Sequence, residues 1–144
     1  MLIHGNCHCG NISFELTWEP APTTIPARAC SCTFCVKHGG VWTANATSSL
    51  VVTVAHPELV SRYEQGTRTA QFHVCTRCGV VPVVTSEIEG RTYAVVNTTT
   101  FDDAARALLQ PPAPVSFDGE PQEARLARRK RGWIGSVRVV TTGS

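Results

Sequence analysis

The sequence has little charge and no long apolar stretch. Charged residues make up 17% and hydrophobic residues 42% of its 144 residues, a balance that excludes an intrinsically disordered chain. No apolar run approaches the roughly 18 residues that a membrane-spanning helix needs. Because Met1 to Gly5 is not a basic segment leading into an apolar one, we expect no secretory signal and a cytoplasmic protein.

Seven cysteines stand out against this background. An odd number, together with the expectation of no secretory signal, argues against a disulfide framework. Their spacing indicates metal binding instead, because they fall into three tight groups: Cys7-His8-Cys9, Cys30-Ser31-Cys32-Thr33-Phe34-Cys35 and Cys75-Thr76-Arg77-Cys78-Gly79.

Two of the groups are pairs that together supply four thiolates. An extended Cys7-x-Cys9 segment places both side chains on one face. In Cys75-x2-Cys78 the turn brings both sulfurs to one point, and Gly79 tolerates the backbone conformation that follows. Four thiolates close a tetrahedral zinc site and leave it with a net charge of about −2, so these two pairs predict a structural zinc.

The middle group supplies three thiolates, from Cys30, Cys32 and Cys35. Three protein ligands with an open fourth position is the usual arrangement of catalytic zinc. The division into four and three therefore predicts two zinc ions per chain. The spacing leaves alternatives open: His38 could complete a second closed site, the pairs could be redox dithiols, or the cysteines could be buried without a metal.

The remaining composition favours β-structure. Valine and threonine are frequent, and both are typical of pleated, half-buried surfaces. Residues 12–18 alternate apolar and polar side chains, as a strand does, and a hairpin turn is predicted at Glu89-Gly90. Further strands are predicted at residues 50–54, 69–74, 80–85, 93–96 and 137–140. We therefore predict a mainly β, antiparallel fold.

We also predict one short helix and a boundary between the body of the domain and a C-terminal extension. Only residues 102–110 favour a helix, because Thr100 or Asp102 can cap it and two prolines stop it. A proline-rich stretch then separates a body, residues 1–110, from a C-terminal extension, residues 111–144. We expect the extension to pack on or flank the same domain, since some thirty residues bury little surface by themselves.

Positive charge is concentrated in the extension. Five of the thirteen basic residues lie within residues 125–131. Such a run can bind nucleic acid or another anionic partner, but no nucleic-acid motif accompanies it. We interpret the run as a solvated, mobile segment and do not expect nucleic-acid binding.

The ordered motifs resemble those of the glutathione-dependent formaldehyde-activating enzymes, a family that includes the centromere protein V group. The family pattern has C-H-C-G before an alternating strand, then a C-x-C-x2-C loop, a C-x2-C-G after a strand, and V-N-x-x-T-x-D-D. The corresponding segments here are Gly5–Phe14, Cys30–Cys35, Cys75–Gly79 and Val96–Asp103. The resemblance covers residues 4–103.

This resemblance implies a β-tent zinc-binding fold with small thiol and aldehyde substrates. The implied reaction joins glutathione and formaldehyde into S-(hydroxymethyl)glutathione, which is a carbon–sulfur lyase reaction run in reverse. The implied ligands of the structural zinc are Cys7, Cys9, Cys75 and Cys78. The implied ligands of the catalytic zinc are Cys30, Cys32 and Cys35.

Two hypotheses about function follow. In the first, the three-thiolate zinc takes the substrate thiol as its fourth ligand, because coordination deprotonates a thiol and a soft metal favours sulfur. Arg28, Lys37 and Arg77 adjoin the clusters and could hold substrate carboxylates or offset thiolate charge. In the second, the chain is a non-enzymatic module that binds a thiol, a protein or a nucleic acid, and zinc only stabilises it.

Overall fold

The computed structural model describes residues 1–142. They form two β-sheets and three α-helices. The strands are β1 Leu2–Asn6, β2 Ile12–Thr17, β3 Arg28–Cys30, β4 Val41–Thr43, β5 Ser49–Val54, β6 Val60–Tyr63, β7 Gln71–Cys75, β8 Val83–Ile88, β9 Arg91–Asn97, β10 Ala113–Val115 and β11 Ser136–Thr141. The helices are α1 Thr33–His38, α2 Asp103–Arg106 and α3 Gln122–Gly132, and 3-10 turns occur at Pro57–Leu59 and Thr98–Thr100. The prediction of a mainly β fold is confirmed.

The smaller sheet has the strand order β1-β2-β5-β11, and the larger has the order β10-β3-β4-β9-β8-β7-β6. Neighbouring strands are antiparallel except at one edge of each sheet, where β11 runs parallel to β5 and β10 runs parallel to β3. Both parallel strands follow residue 110, so the C-terminal extension adds an edge strand to each sheet. The division of the chain at residue 110 stays a prediction, and residues 143 and 144 of the extension lie outside the described residues.

Alternating side chains explain how the smaller sheet packs. Ile12, Phe14 and Leu16 of β2 are buried, and they lie beside buried Leu50 and Val52 of β5. Each such side chain contributes about 1.5–3 kcal/mol when it leaves water. These residues belong to one apolar cluster that also includes buried side chains of the larger sheet, so a single core holds the two sheets together.

The turn predicted at Glu89-Gly90 is present between β8 and β9. Both residues have positive φ, 53° and 78°, as a type I′ hairpin requires. Glycine adopts this conformation without steric cost, and here a glutamate shares it. The hairpin places β9 in the middle of the larger sheet, where residues 93–97 are all buried.

The helix predicted over residues 102–110 corresponds to α2, which is shorter. Asp102 caps it as expected, since its Oδ1 accepts a hydrogen bond of 2.9 Å from the N–H of Ala105. The chain then leaves the helix because Ile25 donates its N–H to the carbonyl of Leu108 and accepts one from Gln110. The structure also corrects the expectation of a single helix, since α1 and α3 were not predicted. No helix within residues 1–142 is long and apolar enough to span a membrane.

Candidate active site

The structure brings the two cysteine pairs together into one four-sulfur cluster. The Sγ atoms of Cys7 and Cys9 are 3.8 Å apart, and those of Cys9 and Cys75 are 3.5 Å apart. With Cys78, all four sulfurs lie within 4.8 Å of one another. A zinc tetrahedron with Zn–S bonds of about 2.3 Å has edges of roughly 3.8 Å. The donor set and its spacing therefore fit a tetrahedral zinc ion.

Two glycine-ended turns shape this four-sulfur cluster. Gly10 and Gly79 have φ angles of 85° and 82°, the left-handed region that glycine adopts most easily. Their N–H groups donate to the carbonyls of Cys7, at 3.1 Å, and Cys75, at 2.7 Å. The first turn joins β1 to β2 in the smaller sheet, and the second follows β7 in the larger sheet. A metal bound here would cross-link the two sheets.

The middle group forms a second, separate cluster of three sulfurs. Cys30 ends β3, Cys32 is the N-cap of α1 and Cys35 lies within α1. The Sγ of Cys32 accepts a hydrogen bond of 3.3 Å from the N–H of Cys35, and the Sγ of Cys30 accepts one of 3.5 Å from the N–H of Cys32. The start of the helix thus folds three sulfurs of one short segment to within 4.8 Å of one another.

His38 is not part of this three-sulfur cluster. The group that comes together among the described residues consists of the three cysteines alone. The His38 ring instead stacks on Phe34 at the end of α1, with ring centroids 5.5 Å apart, and burial lowers its pKa. The geometry therefore favours three protein ligands over the closed alternative with a histidine.

Each cluster contains sulfurs whose pKa values move in opposite directions. Burial raises the pKa of Cys7 to about 12. For Cys78 burial acts in the same sense, but hydrogen bonds from the backbone of Cys9 and Val80 outweigh it and lower the pKa to about 6. In the second cluster the hydrogen bond from Cys35 lowers the pKa of Cys30 to about 5. Each cluster thus has one sulfur that favours the thiolate form that a metal requires.

A cavity of about 760 Å³ adjoins the three-sulfur cluster. Cavities of this size accept small-molecule ligands. One part of its wall is the cluster together with Gln65, whose Nε2 donates to the Sγ of Cys32 at 3.8 Å. Another part is apolar and includes Trp42, Phe72 and Trp133. The four-sulfur cluster contributes no lining residue within the described chain, so of the two clusters only the three-sulfur one borders this cavity.

The family model described as "Glutathione-dependent formaldehyde-activating enzyme" matches residues 2–117. The chain belongs to this family. The match includes both cysteine clusters, whereas the β-tent designation of the fold stays an implication of the resemblance.

Two similar proteins accompany this family match. A curated protein of Halomonas elongata, described as a "Putative glutathione-dependent formaldehyde-activating enzyme", is 32% identical over 85 residues, which are 54% of this chain and 52% of the relative. The chain thus spans about half the length of the curated relative it matches. The chain is also similar to a crystal structure of a Rhodobacter sphaeroides protein, with a TM-score of 0.55 and 25% sequence identity. The similar region covers 78% of this chain and 99% of the Rhodobacter sphaeroides chain.

Helix α3 lies beyond the segment matched to the formaldehyde-activating family, and it corrects the interpretation of the basic run. The run is not a wholly solvated segment: it forms most of α3, and Arg129 within it is buried, while Lys130 and Arg131 are exposed. Arg125, Arg128 and Arg129 line the cavity that adjoins the three-sulfur cluster. Arg129 is only 6% exposed. One signal could have found this wall: the spacing i, i+3, i+4 places these three arginines on one face of a helix.

The basic residues that adjoin the cysteine groups differ in position, and His8 and His73 belong to neither sulfur cluster. Arg28 borders the cavity, while Lys37 and Arg77 are exposed and are not among its lining residues in the described chain. His8 is exposed between its two neighbouring cysteines. His73 is buried and pairs through Nε2 with the hydroxyl of Thr85 at 2.7 Å, and burial lowers its pKa to about 4.

Proposed function

We propose that the protein is a zinc-dependent enzyme of the carbon–sulfur lyase type, which adds a glutathione-like thiol to formaldehyde or another small aldehyde. The observation that carries this proposal is the contrast between the clusters. Three sulfurs border a cavity that can hold a small molecule, and the four sulfurs of the other cluster do not line it. The name of the family to which the chain belongs supports the same reaction.

The ligand assignments follow from that contrast. We assign the four-sulfur set to a structural zinc, since four thiolates leave no position for a substrate. We assign the three-sulfur set to a catalytic zinc with one position left for a substrate. We also propose a cytoplasmic location, because thiolates kept for zinc ligation persist in a reducing compartment. The structural ligands are Cys7, Cys9, Cys75 and Cys78. The catalytic ligands are Cys30, Cys32 and Cys35.

Zinc held by the three-sulfur cluster would supply the positive charge that keeps a substrate thiol in its thiolate form. The cavity holds the thiol and the aldehyde side by side, which removes the entropy cost of their encounter. In the reaction the sulfur–carbon bond forms as the carbonyl π bond breaks. The proton of the thiol ends on the former aldehyde oxygen, and the product is a hydroxymethyl thioether.

We propose that Gln65 assists at the aldehyde oxygen with the second N–H of its side-chain amide, since the first donates to a cysteine sulfur. Its amide lies against the Sγ of Cys32 and borders the cavity. A fixed N–H donor near the reacting atoms stabilises negative charge as it develops on the aldehyde oxygen. The apolar wall formed by Trp42 and Phe72 limits water beside that charge, which strengthens the hydrogen bond.

The proposal is tested by the rate at which the zinc-loaded protein forms the adduct. Glutathione and ¹³C-formaldehyde combine spontaneously, so the expected result is exchange between free formaldehyde and the adduct that is faster than in buffer, measured by NMR exchange spectroscopy. The Cys32→Ser protein is the control, because it should stay folded with one zinc and add nothing to the rate in buffer. A zinc-loaded, folded protein that leaves the exchange rate at its buffer value would contradict the enzyme and favour the binding module.

A further inference from the structure

The wall of the cavity formed by α3 carries more positive charge than the chain neutralises. Four arginines and two carboxylates line the cavity, and three thiolates with one zinc ion at the bordering cluster would add a net charge of about −1, which leaves a surplus of about one positive charge. Glu120 is the carboxylate that meets the arginines of α3. It accepts two hydrogen bonds of 3.1 Å from Arg128, and its Oε1 lies 3.8 Å from the Nε of Arg125.

Arg129 shows the imbalance most clearly. Its side chain is buried, and its Nη1 donates to the hydroxyls of Thr69, at 2.8 Å, and Ser86, at 3.1 Å. Both partners are neutral, and the Nε finds no acceptor among residues 1–142. The Trp133 ring, whose centroid lies 4.9 Å from the Arg129 guanidinium carbon, and the charge of Glu120 offset part of the cost of burying this cation, but no carboxylate hydrogen-bonds to it within the described residues, and such burial is costly. An anion that enters the cavity would reduce this cost.

We propose that Arg125, Arg128 and Arg129 form a binding subsite for a carboxylate of the thiol substrate. The subsite would favour thiols that carry a carboxylate over uncharged thiols. The inference rests on the proposed function, since it places the thiol end of the same molecule at the three-sulfur cluster. Planar guanidinium groups suit carboxylates because two parallel hydrogen bonds can form.

Glu120 has a defined part in this subsite. Because it binds Arg125 and Arg128 from within the chain, it competes with a substrate carboxylate for the same donors. Hydrogen bonding from Arg128 lowers the pKa of Glu120, so it stays ionised. Removal of its charge without change of shape should therefore strengthen the binding of an anionic ligand.

The test measures binding without catalysis. S-methylglutathione keeps both carboxylates of glutathione but has no thiol, so it reports the subsite independently of metal ligation and turnover. Trp42 and Trp133 line the cavity, and their fluorescence should change when the zinc-loaded protein binds the ligand. We expect saturable binding of S-methylglutathione, weak binding of its dimethyl ester, and little displacement by an equal concentration of inorganic phosphate.

Three variants have different expected affinities for S-methylglutathione: one weaker, one tighter and one unchanged. Arg128→Gln should weaken the binding of S-methylglutathione about tenfold, the value of one charge-assisted hydrogen bond pair. Glu120→Gln should tighten it several-fold, an effect that a merely structural role would not produce. Arg131→Gln is the matched control, because Arg131 is exposed on the same helix, and it should bind as the unaltered protein does.

The subsite is overturned if the unaltered protein does not bind S-methylglutathione, if the dimethyl ester or phosphate binds equally well, or if Arg128→Gln and Arg131→Gln bind alike. Glu120→Gln binding that is no tighter than the unaltered protein would also overturn it. These outcomes are separate from failure of the proposed function. Normal binding of S-methylglutathione without acceleration of adduct formation would contradict the enzyme and leave the subsite standing.

Discussion

Cys78→Ser should leave the chain largely unfolded at 25 °C. Its sulfur is one of four that join the β1–β2 turn of the smaller sheet to the end of β7 in the larger sheet. Serine offers a hard hydroxyl oxygen in place of a soft thiolate, and zinc at such sites prefers sulfur. Structural zinc supplies about 10–16 kcal/mol of apparent binding free energy, while a domain's net stability is about 5–15 kcal/mol. Loss of the zinc site therefore removes a free energy comparable with the whole net stability of the domain.

Circular dichroism and urea denaturation measure this effect. The matched control is Arg77→Gln, which alters an exposed residue between Cys75 and Cys78 and should keep the unaltered midpoint. A Cys78→Ser protein with the midpoint of the unaltered chain would show that the four-sulfur cluster is not structural.

Cys32→Ser should have a different outcome: a folded protein that has lost one zinc and all catalysis. Cys32 is the N-cap of α1, where its Sγ accepts a hydrogen bond from the N–H of Cys35. Serine is among the preferred residues at an N-cap, so the helix keeps its cap. The metal is left with two sulfur ligands and should dissociate. We expect the zinc content to fall from about two to about one per chain and adduct formation to fall to the rate in buffer.

Metal analysis and urea denaturation on the same sample separate this outcome from unfolding. The control is Ser31→Ala, because Ser31 is an exposed neighbour of Cys32 and supplies no sulfur. Unfolding of Cys32→Ser as severe as that of Cys78→Ser would mean that both clusters are structural. It would then favour the non-enzymatic module.

The cysteine clusters could be predicted from the sequence because they are chelates of short segments. Cys7 and Cys9, or Cys75 and Cys78, lie so close along the chain that a single turn brings both sulfurs together. The glycine after each pair marks the left-handed turn that does so. The two pairs are far apart in the sequence and meet between the two sheets. Dividing the seven cysteines into four and three was enough to predict that these pairs come together.

The second wall of the cavity could not be predicted by the same means. Helix α3 carries arginines on the face that meets the cavity, so it lacks the apolar stripe by which an amphipathic helix is recognised. Similarly, α1 consists of six residues that start at a cysteine cap, and short helices give little periodic signal. The end of α2 depended on hydrogen bonds with Ile25, a partner distant in the sequence.

One of the two proposed zinc sites should have a position open to a substrate thiol. X-ray absorption at the zinc edge tests it most directly, because it counts sulfur neighbours. For the zinc-loaded protein we predict about 3.5 sulfurs per zinc, the average of a four-sulfur and a three-sulfur site, and a rise to about 4 when glutathione is added. An unchanged average after addition of glutathione would contradict a site open to the substrate thiol.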